Sequence, residues 1–419
     1  MRIYFSGIGG VGIGPLAEIA VDAGCQVIGS DMAKSLVTRE LERRDVTVSY
    51  DQSGAFLREQ HDLEPVDWFV YTAALPNDHP ELMLARELGL HTAKRDELLA
   101  HIIAEKKLKL IAVAGTHGKT TTTGMVVWAL KQLGIPVSYS VGTTLSWGPS
   151  GQLDPASEYF VYECDEFDRN FLHFEPWLSI VTSIEYDHPD TFPTPDDYRQ
   201  AFVQFLEQSE YSLLWEKDLR YLHQPDIAAD YEAFDELMGL TRFTLAGDHT
   251  RHNAFLVERA LAKIMPETNV LPAINSFPGT NRRFEKLAEG LYSDYGHTPT
   301  EITATLQMAG ELSQEVVLVY QPHQNVRQHE IRRQYTDGVF AGAKKAYWLP
   351  TYLSRESPDL PVLSPEELTE NLHKTEVHTA EMNDDLWNTV QRHIDAGHLV
   401  LCMGAGSIDG WVREQIKNS

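Results

Sequence analysis

Gly115-Thr116-His117-Gly118-Lys119-Thr120 follows the apolar run 108–113 and leads into the helix-like stretch 121–133. A strand, a tight glycine turn and a helix start, in that order, make a phosphate cradle. Backbone N–H groups and the positive helix end face the anion, Lys119 reaches the outer phosphates, and the Thr120 hydroxyl can hold Mg²⁺. Val113 stands where a full Walker A carries its first glycine, so the match to that motif is incomplete.

Downstream, two further strand-like segments end in polar clusters. Residues 159–162 run into Glu163-Cys164-Asp165-Glu166-Phe167-Asp168, and 178–182 run into Ser183-Ile184-Glu185-Tyr186-Asp187-His188. Parallel strands present their carboxyl ends on one edge, which is where ligands of open α/β sheets bind. Both clusters are therefore expected beside the phosphate loop. Carboxylates and a histidine there can coordinate the Mg²⁺ that neutralises a transferring phosphoryl group.

Upstream, the strand-like Arg2-Ile3-Tyr4-Phe5-Ser6 leads into Gly7-Ile8-Gly9-Gly10-Val11-Gly12 and an apolar-periodic helix. A second strand, Gln26-Val27-Ile28-Gly29, ends at Ser30-Asp31, an acid about 20 residues beyond the glycines in the manner of a Rossmann unit. Alone this pattern reads as NAD, but a glycine turn of this kind accepts any pyrophosphate. Thr72, Ala73 and Ala74 open the loop after another strand at 68–71. The last third alternates again, with strands at 315–320, 346–349 and 398–402, the last entering the turn Gly404-Ala405-Gly406-Ser407. The expected architecture is three α/β blocks: 1–107 Rossmann-like, 108–278 of the P-loop ATPase type, and 279–419 Rossmann-like.

Bulk properties narrow the function. A chain of 419 residues exceeds one ordinary core. The formal net charge of −26 argues against a nucleic-acid surface, although a local basic pocket can still hold small anions. No apolar run approaches the roughly 18–20 residues of a membrane span, and the first residues carry no signal-peptide pattern. Three widely spaced cysteines, an odd number, fit neither a disulfide framework nor a metal knuckle. The expectation is a cytoplasmic enzyme, a monomer or weak homodimer, with no nucleic acid and no membrane insertion.

Taken together, the motifs resemble those of the Mur ligases, the ATP-dependent amide-forming enzymes of peptidoglycan precursor synthesis. The resemblance runs through 7–12 with Gly29-Ser30-Asp31, then 115–122, 163–172, 184–191, 281–285, 293–301, Gln321-Pro322-His323 and 403–408. The 293–301 and Gln321-Pro322-His323 segments resemble the alanine-adding branch. So does the lack of a lysine in Tyr198-Arg199-Gln200-Ala201-Phe202, where other branches use a carbamylated one.

The resemblance implies a site, residue by residue. Gly115, Thr116, His117, Gly118, Lys119, Thr120 and Thr121 bind ATP, with Asn253 on the adenine side. Thr120 and Glu163 hold one Mg²⁺, and His188 belongs to a second metal site. Arg283 and Asp294 serve the nucleotide from the third block. Gly7, Gly9, Gly10, Gly12, Ser30, Asp31 and Thr72 bind the UDP substrate, while His297, His323 and Arg327 lie on the amino-acid side. Lys119, Glu163, His188, Arg283 and Asp294 form the catalytic set.

The implied partners are UDP-N-acetylmuramate and an amino acid, L-alanine first, with His188 or His297 taking up the amine proton. Thr250 departs from the family pattern, which places an asparagine there, and Ser354-Arg355-Glu356 departs near the amino-acid pocket. Three other readings compete: a ligase for preformed murein peptide, an NAD-dependent dehydrogenase, and an inactive nucleotide-binding relative.

Overall fold

The computed structural model describes residues 1–418 except Val11, Ala73, Ala74, Asp190, 224–226, Leu237 and Arg355. Of the segments read above, Val11, Ala73, Ala74, Asp190 and Arg355 thus lie outside the described residues. By contact the chain forms two units: Met1–Met238 with Asn253–Phe277, and Gly239–His252 with Pro278–Ser419.

The first unit carries two sheets. One is wholly parallel, in the order β3-β2-β1-β4-β5, from β1 (Arg2–Ser6), β2 (Gln26–Ser30), β3 (Thr47–Ser49), β4 (Trp68–Tyr71) and β5 (His91–Lys94). The other runs β12-β11-β10-β6-β9-β7-β8. Its strands are β6 (Lys109–Ala114), β7 (Val137–Ser140), β8 (Gly151–Gln152), β9 (Tyr159–Glu163), β10 (Leu178–Val181), β11 (Tyr211–Trp215) and β12 (Asp230–Phe234). Only the short β8 pairs antiparallel.

The second unit holds the sheet β13-β14-β18-β15-β16-β17. It comprises β13 (Glu285–Ala288), β14 (Leu291–Asp294), β15 (Val316–Tyr320), β16 (Lys345–Trp348), β17 (Glu376–Thr379) and β18 (Leu399–Met403), with β13 antiparallel to β14.

The central strands read as unbroken apolar runs because helices cover both faces of such sheets. Arg2–Ser6, Val316–Tyr320 and Leu399–Met403 are buried at every position. The strands legible in the sequence are these central ones. Edge strands such as β3, β12 and β17 are short or half-exposed and lack that signal.

In the second sheet the carboxyl ends of the neighbouring strands β10, β6 and β9 fall side by side. This brings the segments after Val181, Ala114 and Glu163 to one edge. Among the described residues no helix is long and apolar enough to cross a membrane.

Candidate active site

The phosphate loop starts where β6 ends and closes on Gly118, the left-handed residue (φ +85°) before the helix Lys119–Gln132. Gly115 sits at φ +127°, and a Cβ there would lie 2.5 Å from Thr182 Oγ1 and 2.7 Å from the Ser183 carbonyl. Only glycine fits. Ser183 pins the loop, its carbonyl accepting from Thr116 N–H (2.9 Å) and its hydroxyl from His117 N–H (3.0 Å). The His117 ring lies 3.2 Å from Glu185. Thr121 is half-buried on the first helical turn, whose N–H groups have no partner within the helix. Asn253, on the helix Asp248–Ile264, presses against the loop: a Cβ on Gly118 would come within 2.9 Å of its amide nitrogen.

Lys119 donates to the Gly115 carbonyl (2.7 Å) and to Glu166 (2.7 Å), and lies 3.6 Å from Asp165. Burial alone lowers its pKa, but Glu166, Asp165 and Glu163 outweigh burial and hold it above the ordinary lysine value. Glu166 is shut from solvent, and burial raises its carboxyl against the pull of Lys119. For Asp165 the balance reverses: burial raises it, but Lys119, His188 and Arg95 bring it below the usual range.

Thr120 donates to Glu163 (2.8 Å), whose second oxygen accepts from Gly142 N–H (2.9 Å). Ligand atoms of Asp165, Glu166 and His188 lie within 4.8 Å of one another. Hydroxyl and carboxylate oxygens with a single imidazole are hard donors that suit Mg²⁺, so the residues present fit that ion. Thr120 and Glu163 would hold one, with Asp165, Glu166 and His188 beside it. The thiol of Cys164, between these acids in sequence, faces the core and is fully buried.

Sequence reasoning singled out Lys119, Thr120, Glu163 and His188, which fall on this one edge. It did not single out Glu166, Asp165 or Tyr198. The Tyr198 hydroxyl bonds Thr116 (2.8 Å) and donates to Glu166 (3.3 Å), linking the loop to the carboxylates.

The first glycine turn is built differently. Gly7 and Ile8 N–H groups donate to the Ser30 carbonyl, and Gly10 N–H to the Gly7 carbonyl. A Cβ on Gly7 would lie 3.4 Å from the Thr72 methyl. Gly9 N–H donates to Asp31 (2.7 Å), and a Cβ on Gly9 would collide with Thr38, Ser35 and Asp31. Beneath the turn, the wholly buried Glu81 accepts from the hydroxyls of Tyr4 (2.5 Å), Ser6 (2.6 Å) and Ser30 (2.7 Å). The Ser30 side chain therefore points at Glu81.

In the second unit, Asp294 ends β14 and accepts from Phe284 N–H (2.8 Å) and Gly296 N–H (2.7 Å). Burial raises its carboxyl, with Arg283 opposing. Arg283 lies 3.8 Å from Glu301 and over the Tyr295 ring. Arg327 meets His297 Nε2 at 3.1 Å, and the His297 and His323 rings are 5.6 Å apart. The His323 ring also stacks on Tyr352.

Burial, then neighbouring positive charge, pushes His323 down to about 4; burial lowers His297 too. His297, its Nε2 occupied by Arg327, is therefore a poor proton acceptor. Thr298 caps the helix Pro299–Leu312 through Glu301, and Glu356 accepts from Asn325 and Val326 N–H groups.

A phosphate loop whose lysine faces carboxylates and a histidine at one sheet edge defines an α/β enzyme of phosphoryl transfer. Comparison with known families carries this further. The Mur ligase catalytic-domain model matches residues 2–107, the Mur ligase middle-domain model 113–225, and the Mur ligase glutamate ligase domain model 282–406. The chain belongs to the Mur ligase family, which displaces the dehydrogenase reading of the first turn.

It is 32% identical to the UDP-N-acetylmuramate–L-alanine ligase of Syntrophomonas wolfei, over 97% of this chain and 94% of that one. It is 30% identical to the enzyme of that name from Carboxydothermus hydrogenoformans, over 98% and 95%. The solved UDP-N-acetylmuramate–alanine ligase of Thermotoga maritima shares the fold with a TM-score of 0.73 at 22% identity, covering 100% and 99% of the two chains. A murein peptide ligase from Psychrobacter arcticus gives 0.66 at 20% identity, covering 100% and 98%.

Proposed function

We propose that this enzyme joins L-alanine to the carboxylate of UDP-N-acetylmuramate, using ATP, in peptidoglycan precursor synthesis. The observation that carries the reading is similarity along nearly the whole chain to ligases of that name, in a molecule whose Lys119–Thr120–Glu163 set is intact. Residues 1–107 take the UDP-sugar acid, 108–278 the ATP, and 279–419 the amino acid, with Arg283 and Asp294 serving the nucleotide and His297, His323 and Arg327 the amino-acid side. The setting is the cytoplasm.

Physical chemistry sets the order of events. A carboxylate oxygen of the sugar acid attacks the γ-phosphorus of ATP, releasing ADP and leaving an acyl phosphate. The amine of alanine attacks the acyl carbon, phosphate leaves, and an amide forms. Two anions must meet in the first step, so fixed positive charge is the main requirement. Lys119 supplies it from this chain, kept charged by its carboxylate neighbours. Mg²⁺, when bound, adds further charge neutralisation. The loop N–H groups and Thr120 orient the triphosphate, and Tyr198 keeps Thr116 and Glu166 in register.

The test is phosphate release from Mg·ATP and UDP-N-acetylmuramate with L-alanine, glycine, L-serine or a murein tripeptide as amine donor. Release dependent on L-alanine is expected. Release with the tripeptide alone would transfer the chain to peptide recycling, and the absence of release with every donor would leave the ligase reading without support.

A further inference from the structure

One cation of the first unit enters the site described so far only through its charge, which helps hold Asp165 low. Arg95 opens the helix Arg95–Glu105 at the carboxyl end of β5, on the same sheet as the first glycine turn. Its Nη2 is held by Asp96 (3.2 Å), and Asp96 is fixed in turn by the hydroxyl of Tyr162, the residue before Glu163 on β9. The rest of the guanidinium is uncommitted. Nε is shut from solvent without a hydrogen-bond partner, and Nη1 has none among the described residues. Nη1 lies 3.4 Å from where a Cβ of Gly12 would stand. About a third of the side chain remains exposed, and with Nε shut from solvent the accessible free donor is Nη1. The neighbouring Lys94 is paired with Asp168 and so is already engaged.

An arginine N–H that is open to solvent and has no protein partner is available to a ligand oxyanion. Here the accessible donor left over, Nη1, stands beside the glycine turn. That turn has no basic side chain of its own, and Asp31 adds a negative charge to it. A ligand carrying a diphosphate and a carboxylate needs a cation there, and a guanidinium N–H makes a charge-assisted hydrogen bond to either oxyanion.

We propose that Arg95 binds an oxyanion of the UDP-sugar acid through its free Nη1, beside Gly12 of the first glycine turn. This rests on the ligase reading above and assigns a residue to it. Asp96 and Tyr162 act as positioning residues that aim the guanidinium.

The experiment compares wild type, Arg95→Gln and Arg95→Lys. Wild-type turnover of UDP-N-acetylmuramate checks the ligase reading first, so its failure is seen separately. Calorimetry then measures binding of UDP-N-acetylmuramate and of UDP-N-acetylglucosamine, which keeps the diphosphate but lacks the carboxylate. Arg95→Gln is expected to weaken UDP-N-acetylmuramate at least tenfold, with Arg95→Lys between it and wild type, while the KM for ATP stays near wild type. Equal loss for both nucleotides assigns Arg95 to the diphosphate; loss confined to the acid assigns it to the carboxylate. Unchanged binding of both overturns the proposal, as does a loss of UDP-sugar and ATP affinity together with a lowered melting temperature.

Discussion

Two glutamates of the first unit are shut from solvent, Glu166 behind the phosphate loop and Glu81 beneath the first glycine turn, and they are compensated in opposite ways. Glu166 faces a lysine, a histidine and a second acid. Glu81 faces three hydroxyls. Buried charge needs partners in either case. A hydroxyl cage consumes the carboxylate's acceptor capacity and leaves little for a ligand. A lysine at 2.7 Å is a partner that a triphosphate can share. A glycine turn thus becomes a rigid seat in one sheet and a charged centre in the other.

The largest test of this contrast is Lys119→Met. Turnover should fall about a thousandfold or more, as phosphoryl transfer loses a positioned cation. Stability should fall by about 3–5 kcal/mol, since Glu166 is left without its counter-charge. Adding Glu166→Gln should restore much of the melting temperature and none of the phosphate release; ordinary turnover in Lys119→Met would end the phosphate-loop assignment. Next comes Glu81→Leu, which strands three hydroxyls and should cost about 3 kcal/mol in urea unfolding, with Glu81→Gln milder. Equal stability of Glu81→Leu and wild type would remove the cage from the argument.

Asp31→Ala should follow, weakening UDP-N-acetylmuramate by about tenfold through the lost Gly9 contact while ATP changes less than about twofold. The reverse pattern in a calorimetric titration would mean the two turns have been exchanged. The smallest effect concerns His323, half-buried near Arg327 and Arg282. His323 titrates at about 4 when folded and at the ordinary 6.5 when unfolded. Between those values the unfolded chain binds more protons, so its contribution destabilises the fold progressively as pH drops from 6.5 towards 4. His323→Asn should flatten that decline by about 2–4 °C in melting curves across the interval. Identical slopes would leave His323 without a role in acid stability.

The sequence carried the phosphate loop, Glu163 and His188 because each follows an apolar strand, and parallel strands end on one edge. It gave no reason to choose Glu166 from 163–168, where four of six residues are acidic. The choice is made by backbone: Asp168 and Arg169 adopt left-handed angles in the short helical turn Phe167–His173, just after Glu166 enters the interior. Tyr198 escaped notice because it meets Thr116 across 82 positions, a pairing no local pattern records. Glu81 follows Pro80 at a helix start and reads as an ordinary exposed first-turn acid. Among the third-block residues, His297, His323 and Arg327 do converge. Thr298, within the 293–301 segment, is a helix cap.

Each unit also has a thiol sealed in its interior, Cys164 between the acids of the phosphate site and Cys402 in the last strand, while Cys25 is half-buried. Burial raises both sealed thiols well away from the reactive thiolate. The molecule therefore carries its own clocks. With Cys25 as the early reference, the labelling rate of Cys164 times the breathing of the catalytic edge, and that of Cys402 times the opening of the other unit, without any engineered probe.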